Sequence, residues 1–365
     1  MKRLGIVVMY DSDGNLYDYL LYYLKQLRLV CDRLVLTVNG KINKSGYEKV
    51  NNVVDDIYIR ENRGMDIVGY VDTVEKYISL EQCFLYDEVI LSNDTLFGPF
   101  ISFKDIFNDM GKVRCDVWGL NIAQSVIAKH IQSYFYCFRN GTIKIAFEYW
   151  KSVDLPLNST KEVFIGAYEI GVSRELTKRG KLLKAYSIEN RYCVFNNPAF
   201  VLNYCNFPFL KKSIKSNVLS INSIICEYIT CIKNIEERYD YPIDYILDYL
   251  DKKYNIDLSR LVKELNVDKK NKANNMLDEF LNINGQVYLY GAGKIGQLLY
   301  GIIGSKRVAG FIETNCELGK KIIDKNVYSL NNVDKNSAII VSMGKDNTNN
   351  VRIFLTDYKN VFYFY

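Results

Sequence analysis

Histidine is nearly missing from this chain: His130 is the single one among 365 residues. No site can therefore rest on several imidazoles. Nine cysteines are present, but they fall singly, with no CxxC pair. An odd, scattered set builds no closed disulfide framework, and reduced thiols in the cytoplasm are the simplest expectation. No stretch reaches the ~18 consecutive apolar residues of a membrane span. The apolar run at residues 4–9 (LGIVVM) is ended at once by Asp11 and Asp13, so it reads as a first strand rather than a signal peptide. No dense basic helix is interleaved with stacking aromatics, which argues against a nucleic-acid partner. Internal repeats and low-complexity tracts are also lacking.

What remains is a chain too long for one ordinary core, so two domains are expected. Hydrophobic residues make up 48% and charged residues 24%, as in a folded soluble protein. The net charge of +5 permits a nucleotide or an anionic lipid as partner and demands neither. The 30 tyrosines suit sugar-binding surfaces, with an apolar ring and a polar tip, or simply reflect biased composition.

Strand-like and helix-like segments alternate from the start. Residues 4–9, 33–38, 56–60 and 88–91 read as buried strands; residues 16–29 and 66–78 read as helices. Continuous apolar strands between helices predict a parallel α/β sheet. Ligands in such sheets bind beyond the carboxyl ends of the strands. The loops to inspect are thus Tyr10-Asp11, Asn39-Gly40, residues 61–66 and residues 92–94. Residues 213–265 turn helical, with Ile243, Ile246, Leu247 and Leu250 in period after Pro242. A polar stretch at 269–275 (KKNKANN) reads as a linker. A new α/β pattern follows, with strands at 286–290, 308–312 and 338–342 and a helix at 294–303.

Four segments carry candidate chemistry. In ILSNDTLFGPF a strand delivers Asn93 and Asp94 to its end. A carboxylate there can hold Mg²⁺ or Mn²⁺ against a diphosphate, or merely form a turn. In IRENRGMDIVGY, Asn62 and Arg63 precede Asp66. Arginines can meet diphosphate oxygens; Asp66 can meet a base or ribose, or cap a helix. His130 opens HIQSYFYCF, where Gln132, Ser133 and Tyr134 suit an acceptor pocket and His130 can act as a base. Glu169 follows an apolar stretch and can deprotonate a hydroxyl, or stabilise a helix start. In the C-terminal part, YLYGAGKIG places Gly291, Gly293 and Gly296 between a strand and a helix, as a dinucleotide fingerprint requires. Glu313 stands about twenty residues on, where it can meet a ribose hydroxyl. No Tyr-x-x-x-Lys follows it.

The order RENRGMDIVGY, ILSNDTLFGPF, CDVWGL, HIQSYFYCFRNG, YEIGVSRELTKRG, NFPFLKK resembles the rhamnan synthesis protein F family over roughly residues 1–215, as does the opening VMYDSDGNLYDYLLYYLKQL. The resemblance implies a bacterial glycosyltransferase of cell-wall, capsular or O-antigen polysaccharide synthesis, similar to metal-dependent, inverting enzymes of the GT-A fold. It places Asp94 at the acidic metal motif, with Asn93 departing from a full Asp-x-Asp. It puts Asp66 and Arg63 at the nucleotide, Glu169 at the general base with His130 as second candidate, and Gln132 and Tyr134 at the acceptor. It implies a nucleoside-diphosphate sugar donor, such as a dTDP-linked rhamnose, and a lipid-linked glycan acceptor. The expected domains are a glycosyltransferase domain at 1–235, a helical connector at 236–275 and a small Rossmann-like module at 276–365 that can take a nucleotide. The basic stretch 209–215 (FLKKSIK) suggests peripheral contact with the cytoplasmic face of a membrane. The alternatives are an NAD-dependent sugar-nucleotide oxidoreductase centred on GAGKIG, and a non-catalytic protein of polysaccharide assembly.

Overall fold

The computed structural model describes residues 1–124, 129–156, 159–188, 198–212, 221–254, 280, 282–314, 319–343 and 345–363. The chain divides into two compact units, Met1–Val262 and Lys263–Tyr365. The linker expected at 269–275 and residues 213–215 of the basic stretch lie outside the described residues. Among the described residues no helix is long and apolar enough to cross a membrane.

The first unit opens with three strand–helix repeats and a fourth strand: β1 (Arg3–Tyr10), α1 (Asp18–Arg28), β2 (Arg33–Asn39), α2 (Lys44–Val50), β3 (Asp56–Arg60), α3 (Met65–Thr73), the short α4 (Leu80–Cys83) and β4 (Glu88–Asn93). β1 is buried from Leu4 to Met9, as a strand covered on both faces must be. α1 turns Tyr19, Leu20, Tyr23, Leu24 and Leu27 inward at helical spacing. Burying each such side chain contributes about 1.5–3 kcal/mol. The chain continues through β5 (Leu96–Phe97), α5 (Phe103–Gly111), β6 (Val117–Gln124), β7 (Lys129–Ile131), β8 (Phe135–Arg139), α6 (Ile143–Ser152), α7 (Lys161–Phe164), α8 (Gly171–Lys178), β9 (Leu183–Ile188), α9 (Pro198–Tyr204), β10 (Leu210–Lys211), α10 (Ile221–Arg238) and α11 (Asp244–Tyr254).

The main sheet has the order β3-β2-β1-β4-β8-β6-β7, with β9 beside β6. β3, β2, β1 and β4 are mutually parallel, as expected. Beyond these four strands the sheet becomes mixed: β8 runs antiparallel to both β4 and β6. The fold is α/β with a mixed sheet, and the carboxyl ends of its four parallel strands lie along one edge. At the opposite end Glu88 joins Arg3 and Arg139 in a buried ion-pair network at 2.5 and 2.8 Å. There the charge holds the sheet together rather than facing a ligand.

A connector was expected from residue 236. Instead, α11 packs on the first unit: Tyr249 makes edge-on contacts with Tyr17, Tyr19 and Phe97 at 4.9–5.4 Å. Aromatic burial, not linker chemistry, decides its place.

The second unit comprises β11 (Val287–Tyr290), α12 (Lys294–Ile303), β12 (Val308–Ile312), β13 (Lys321–Ile322), β14 (Lys325–Tyr328), β15 (Ala338–Val341), α13 (Lys345–Arg352) and β16 (Asn360–Tyr363). Its sheet order is β13-β14-β12-β11-β15-β16, parallel except for the β13–β14 hairpin. The chain steps outward from β11 in one direction and then returns to its other side, a doubly wound path.

Candidate functional site

A cavity of about 770 Å³ opens at the carboxyl ends of β1, β2, β3 and β4. Its lining brings together Asp11, Asn39, Asn62, Arg63, Asp66, Asn93, Asp94, Gln132, Ser133, Tyr134 and Glu169, eleven of the residues expected from separate loops. His130 is not part of the wall. It is buried behind Glu169, with its Nε2 3.2 Å from the Glu169 Oε1. Its geometry suits holding that carboxylate rather than reaching a substrate.

Glu169 was expected at a helix start. It lies instead inside a π-helical turn, Ile165–Ile170, between α7 and α8. Such a turn inserts an extra residue into the helix. Two side chains of α6 supply donors: the Tyr149 hydroxyl donates to the Ala167 carbonyl at 2.8 Å and the Trp150 indole N–H to the Tyr168 carbonyl at 3.1 Å. The turn aims Glu169 at the loop before β8, where its Oε2 accepts from the Ser133 backbone N–H at 2.8 Å.

Asp66 is not the cap of α3. That position belongs to Gly64, in the left-handed region at φ 67, where a side chain would strike Val68. Asp66, two residues on, directs its Oδ2 across the cavity floor. It accepts from the Asn93 amide at 2.5 Å and the Ser133 hydroxyl at 3.1 Å. Burial, and then the nearby Glu169 charge, push its carboxyl above the usual range.

Asn93 is thus required as an amide. An aspartate there would set a second carboxylate on Asp66. Its Oδ1 is taken by the Thr95 backbone N–H at 3.2 Å and the Thr95 hydroxyl at 2.5 Å. Asp94 is ion-paired to Lys212 Nζ at 3.0 Å, and the same ammonium donates to the Tyr19 hydroxyl at 2.6 Å. The Mg²⁺ or Mn²⁺ expected at Asp94 therefore meets one carboxylate with a lysine already on it. Among the described residues no group of three or more His, Cys, Asp or Glu is placed to hold a metal ion. A hard divalent cation needs one or two free carboxylates beside the phosphate and water oxygens; with Asp94 held by the Lys212 ammonium, this set does not fit one.

At the other end of the cavity Asp11 accepts from the Asp13 and Asn15 backbone N–H groups, both at 3.0 Å, and pairs with Lys253 at 2.8 Å. Burial raises its carboxyl, but the Lys253 bond and the two N–H donors outweigh that and leave it below the usual range. Asn39 is held by Arg60, which also grips Asp72 at 2.9 Å. Arg60 is buried and committed to structure; Arg63 lines the cavity and is more exposed. Gln132 accepts from the Asn121 amide at 2.8 Å, and the Tyr134 hydroxyl donates to Asn121.

Lys211, Lys212, Lys253 and the Tyr17, Tyr19 and Tyr249 rings were not singled out as site residues, yet they line the same cavity. Lys211 reaches it because β10 pairs antiparallel with β5, setting Lys211 opposite Leu96. Its Nζ bonds Thr95 Oγ1 at 2.5 Å and lies 4.4 Å from the Tyr134 ring centroid, a cation–π distance. The basic stretch therefore does not serve a membrane in its described part. Phe209, Leu210 and Lys211 are buried and Lys212 faces the cavity.

In the second unit the glycine loop joins β11 to α12. Gly291 has φ +109, and a Cβ on Gly296 would lie 1.8 Å from the Gly291 carbonyl oxygen. The first permits the tight turn and the third the close packing of α12. Glu313, at the end of β12, is ion-paired to Lys320 at 2.5 Å.

No curated protein matches this chain. Among solved structures it is similar to a cytidylyltransferase from Leptospira borgpetersenii serovar Hardjo-bovis (strain JB197), at 12% identity and TM-score 0.34, covering 73% of this chain and 99% of that one. It is also similar to 4-diphosphocytidyl-2C-methyl-D-erythritol synthase from Anaerococcus prevotii DSM 20548, at 9% identity and TM-score 0.32, covering 52% and 89%. A third is glucosyl-3-phosphoglycerate synthase from Mycobacterium tuberculosis, solved with Mn²⁺, uridine diphosphate and glucosyl-3-phosphoglycerate, at 8% identity and TM-score 0.33, covering 66% and 81%. The family comparison reaches further than the motifs did, extending past residue 215 into the second unit. Rhamnan synthesis protein F matches residues 34–357, and the chain belongs to that family.

Proposed function

We propose that this chain, a glycosyltransferase-like enzyme by its family, moves a sugar from a nucleoside diphosphate to an acceptor hydroxyl in the cavity of the first unit. One observation carries this reading: four carboxylates (Asp11, Asp66, Asp94, Glu169) and five cationic side chains (Arg63, Lys161, Lys211, Lys212, Lys253) converge on one cavity at the strand ends. The cations suit a diphosphate, and the carboxylates suit sugar hydroxyls and proton transfer. The family's name favours rhamnose, as a dTDP-linked donor, and a growing glycan on a lipid as acceptor.

In this reading Glu169 is the general base. It is fixed by His130 on one oxygen and the Ser133 N–H on the other, a geometry that costs no reorganisation during reaction. The acceptor hydroxyl gives its proton to Glu169 while its oxygen bonds to the anomeric carbon. The bond from that carbon to the β-phosphate oxygen breaks, and the nucleoside diphosphate leaves with the electron pair. Attack opposite the leaving group inverts the anomeric centre. Asp66 and Arg63 would hold the nucleotide or sugar, and Gln132 and Ser133 the acceptor side. The oxidoreductase alternative finds less support: its ribose carboxylate, Glu313, is already paired with Lys320.

Incubating the purified chain with a panel of nucleotide sugars, dTDP-rhamnose included, tests the reading. Donor turnover is expected in the wild type, and Glu169→Gln is expected to lower kcat by roughly 10²–10⁴-fold with donor binding kept. Glu169→Gln working at the wild-type rate would remove it as base.

A further inference from the structure

The two lysines at 211 and 212 stand where a divalent cation would be sought. The acidic strand end offers Asp94 alone, because Asn93 must donate to Asp66 and its oxygen is taken by Thr95. Lys212 sits 3.0 Å from Asp94, and Lys211 sits 2.5 Å from Thr95, the next residue. An ammonium has three donors. Among the described residues Lys212 spends two, on Asp94 and the Tyr19 hydroxyl, and its nitrogen lies beside the cavity, 5.0 Å from the Tyr19 and Tyr249 ring centroids. Those rings and Asp94 fix it in place, so it is a preorganised charge rather than a waving surface lysine. When both are protonated, the two ammonium groups supply the positive charge that a divalent cation would bring.

We propose that Lys212, anchored on Asp94 and seconded by Lys211, is the cation that receives the departing diphosphate, so that donor binding and transfer proceed without a divalent metal. The inference rests on the transferase reading above and gives its leaving group a partner. Asp94 then serves as the positioning residue for Lys212 and not as a metal ligand.

Titration calorimetry of the full chain with UDP and with dTDP, in EDTA and in Mg²⁺ or Mn²⁺, decides it. Equal affinity within about twofold in the two conditions is expected, together with a loss of roughly tenfold or more in Lys212→Gln. Lys212→Arg is expected to keep most of the binding, and thermal melting of both variants checks that they fold. Binding that appears only with metal, or Mn²⁺ bound by the wild type and released in Asp94→Asn by paramagnetic resonance, would overturn the inference and leave the transferase reading standing. No diphosphate binding under either condition would overturn both.

Discussion

Lys211 lies buried on the cavity floor between Asp66, Thr95 and the Tyr134 ring. Burial pushes its ammonium down to about 7, against the pull of Asp66 and Glu169. An ordinary lysine titrates near ~10.4, so the unfolded chain holds this proton more tightly than the folded one. Stability should therefore rise with pH between about 7 and about 10 from this group. Diphosphate binding should move the other way, because only the charged form attracts a phosphate. The affinity for UDP or dTDP, measured by calorimetry, is expected to fall roughly tenfold from pH 6 to pH 8.5. Lys211→Arg, always charged, should flatten that slope. An equally steep profile in Lys211→Arg would assign the titration to another group. None of this is visible in the sequence, where Lys211 is one of two lysines after an apolar run. Its depth depends on a strand pairing with residues more than a hundred positions earlier.

The element that places Glu169 is the π-helical turn at Ile165–Ile170, and its geometry depends on a glycine just after it. A Cβ on Gly171 would lie 1.9 Å from the Tyr149 hydroxyl oxygen, the same hydroxyl that donates to the Ala167 carbonyl. Any side chain at 171 drives Tyr149 off that carbonyl and removes one of the two side-chain donors to the turn. Gly171→Ala is expected to cost about 1–3 kcal/mol in denaturant unfolding, and to lower kcat by displacing Glu169. Adding Tyr149→Phe, which deletes the clashing oxygen, should cost less in the Gly171→Ala background than in the wild type. Strict additivity of the two changes would refute the coupling. The apolar stretch before Glu169 was legible; the π-helical turn was not, since its side-chain donors come from α6.

At the scale of the molecule, the parallel half of the main sheet and the core of the second unit were legible because both follow a strong rule: continuous apolar strands, most of them followed by a helix. β1 to β4 and β11, β12 and β15 all fall where those runs are. The antiparallel strand β8 was not legible as such, because an apolar run does not declare its direction. The site was legible in Asp11, Arg63 and Asp94, which stand in loops after strands, and illegible in Lys211, Lys212 and Lys253, which arrive from β10, the residue after it and α11. The role of α11 is the sharpest case. Its periodicity marked a helix, but nothing local showed that Tyr249 would pack on Tyr19 or that Lys253 would pair with Asp11 across 242 positions. Every residue lining the cavity lies between Val8 and Lys253, inside the first compact unit. A chain ended after Val262 should therefore keep diphosphate binding within a few-fold of the full chain, whereas one ended after Ile235 loses Tyr249 and Lys253. Without them Asp11 keeps only its two backbone donors, and the Tyr19 and Phe97 faces lose their aromatic cover. The shorter chain is expected to melt at lower temperature and to bind UDP or dTDP at least roughly tenfold more weakly, a loss of about 1.4 kcal/mol or more. Calorimetry on the two truncated chains beside the intact one measures this directly. Equal binding by both would show that α11 covers the cavity without contributing to it.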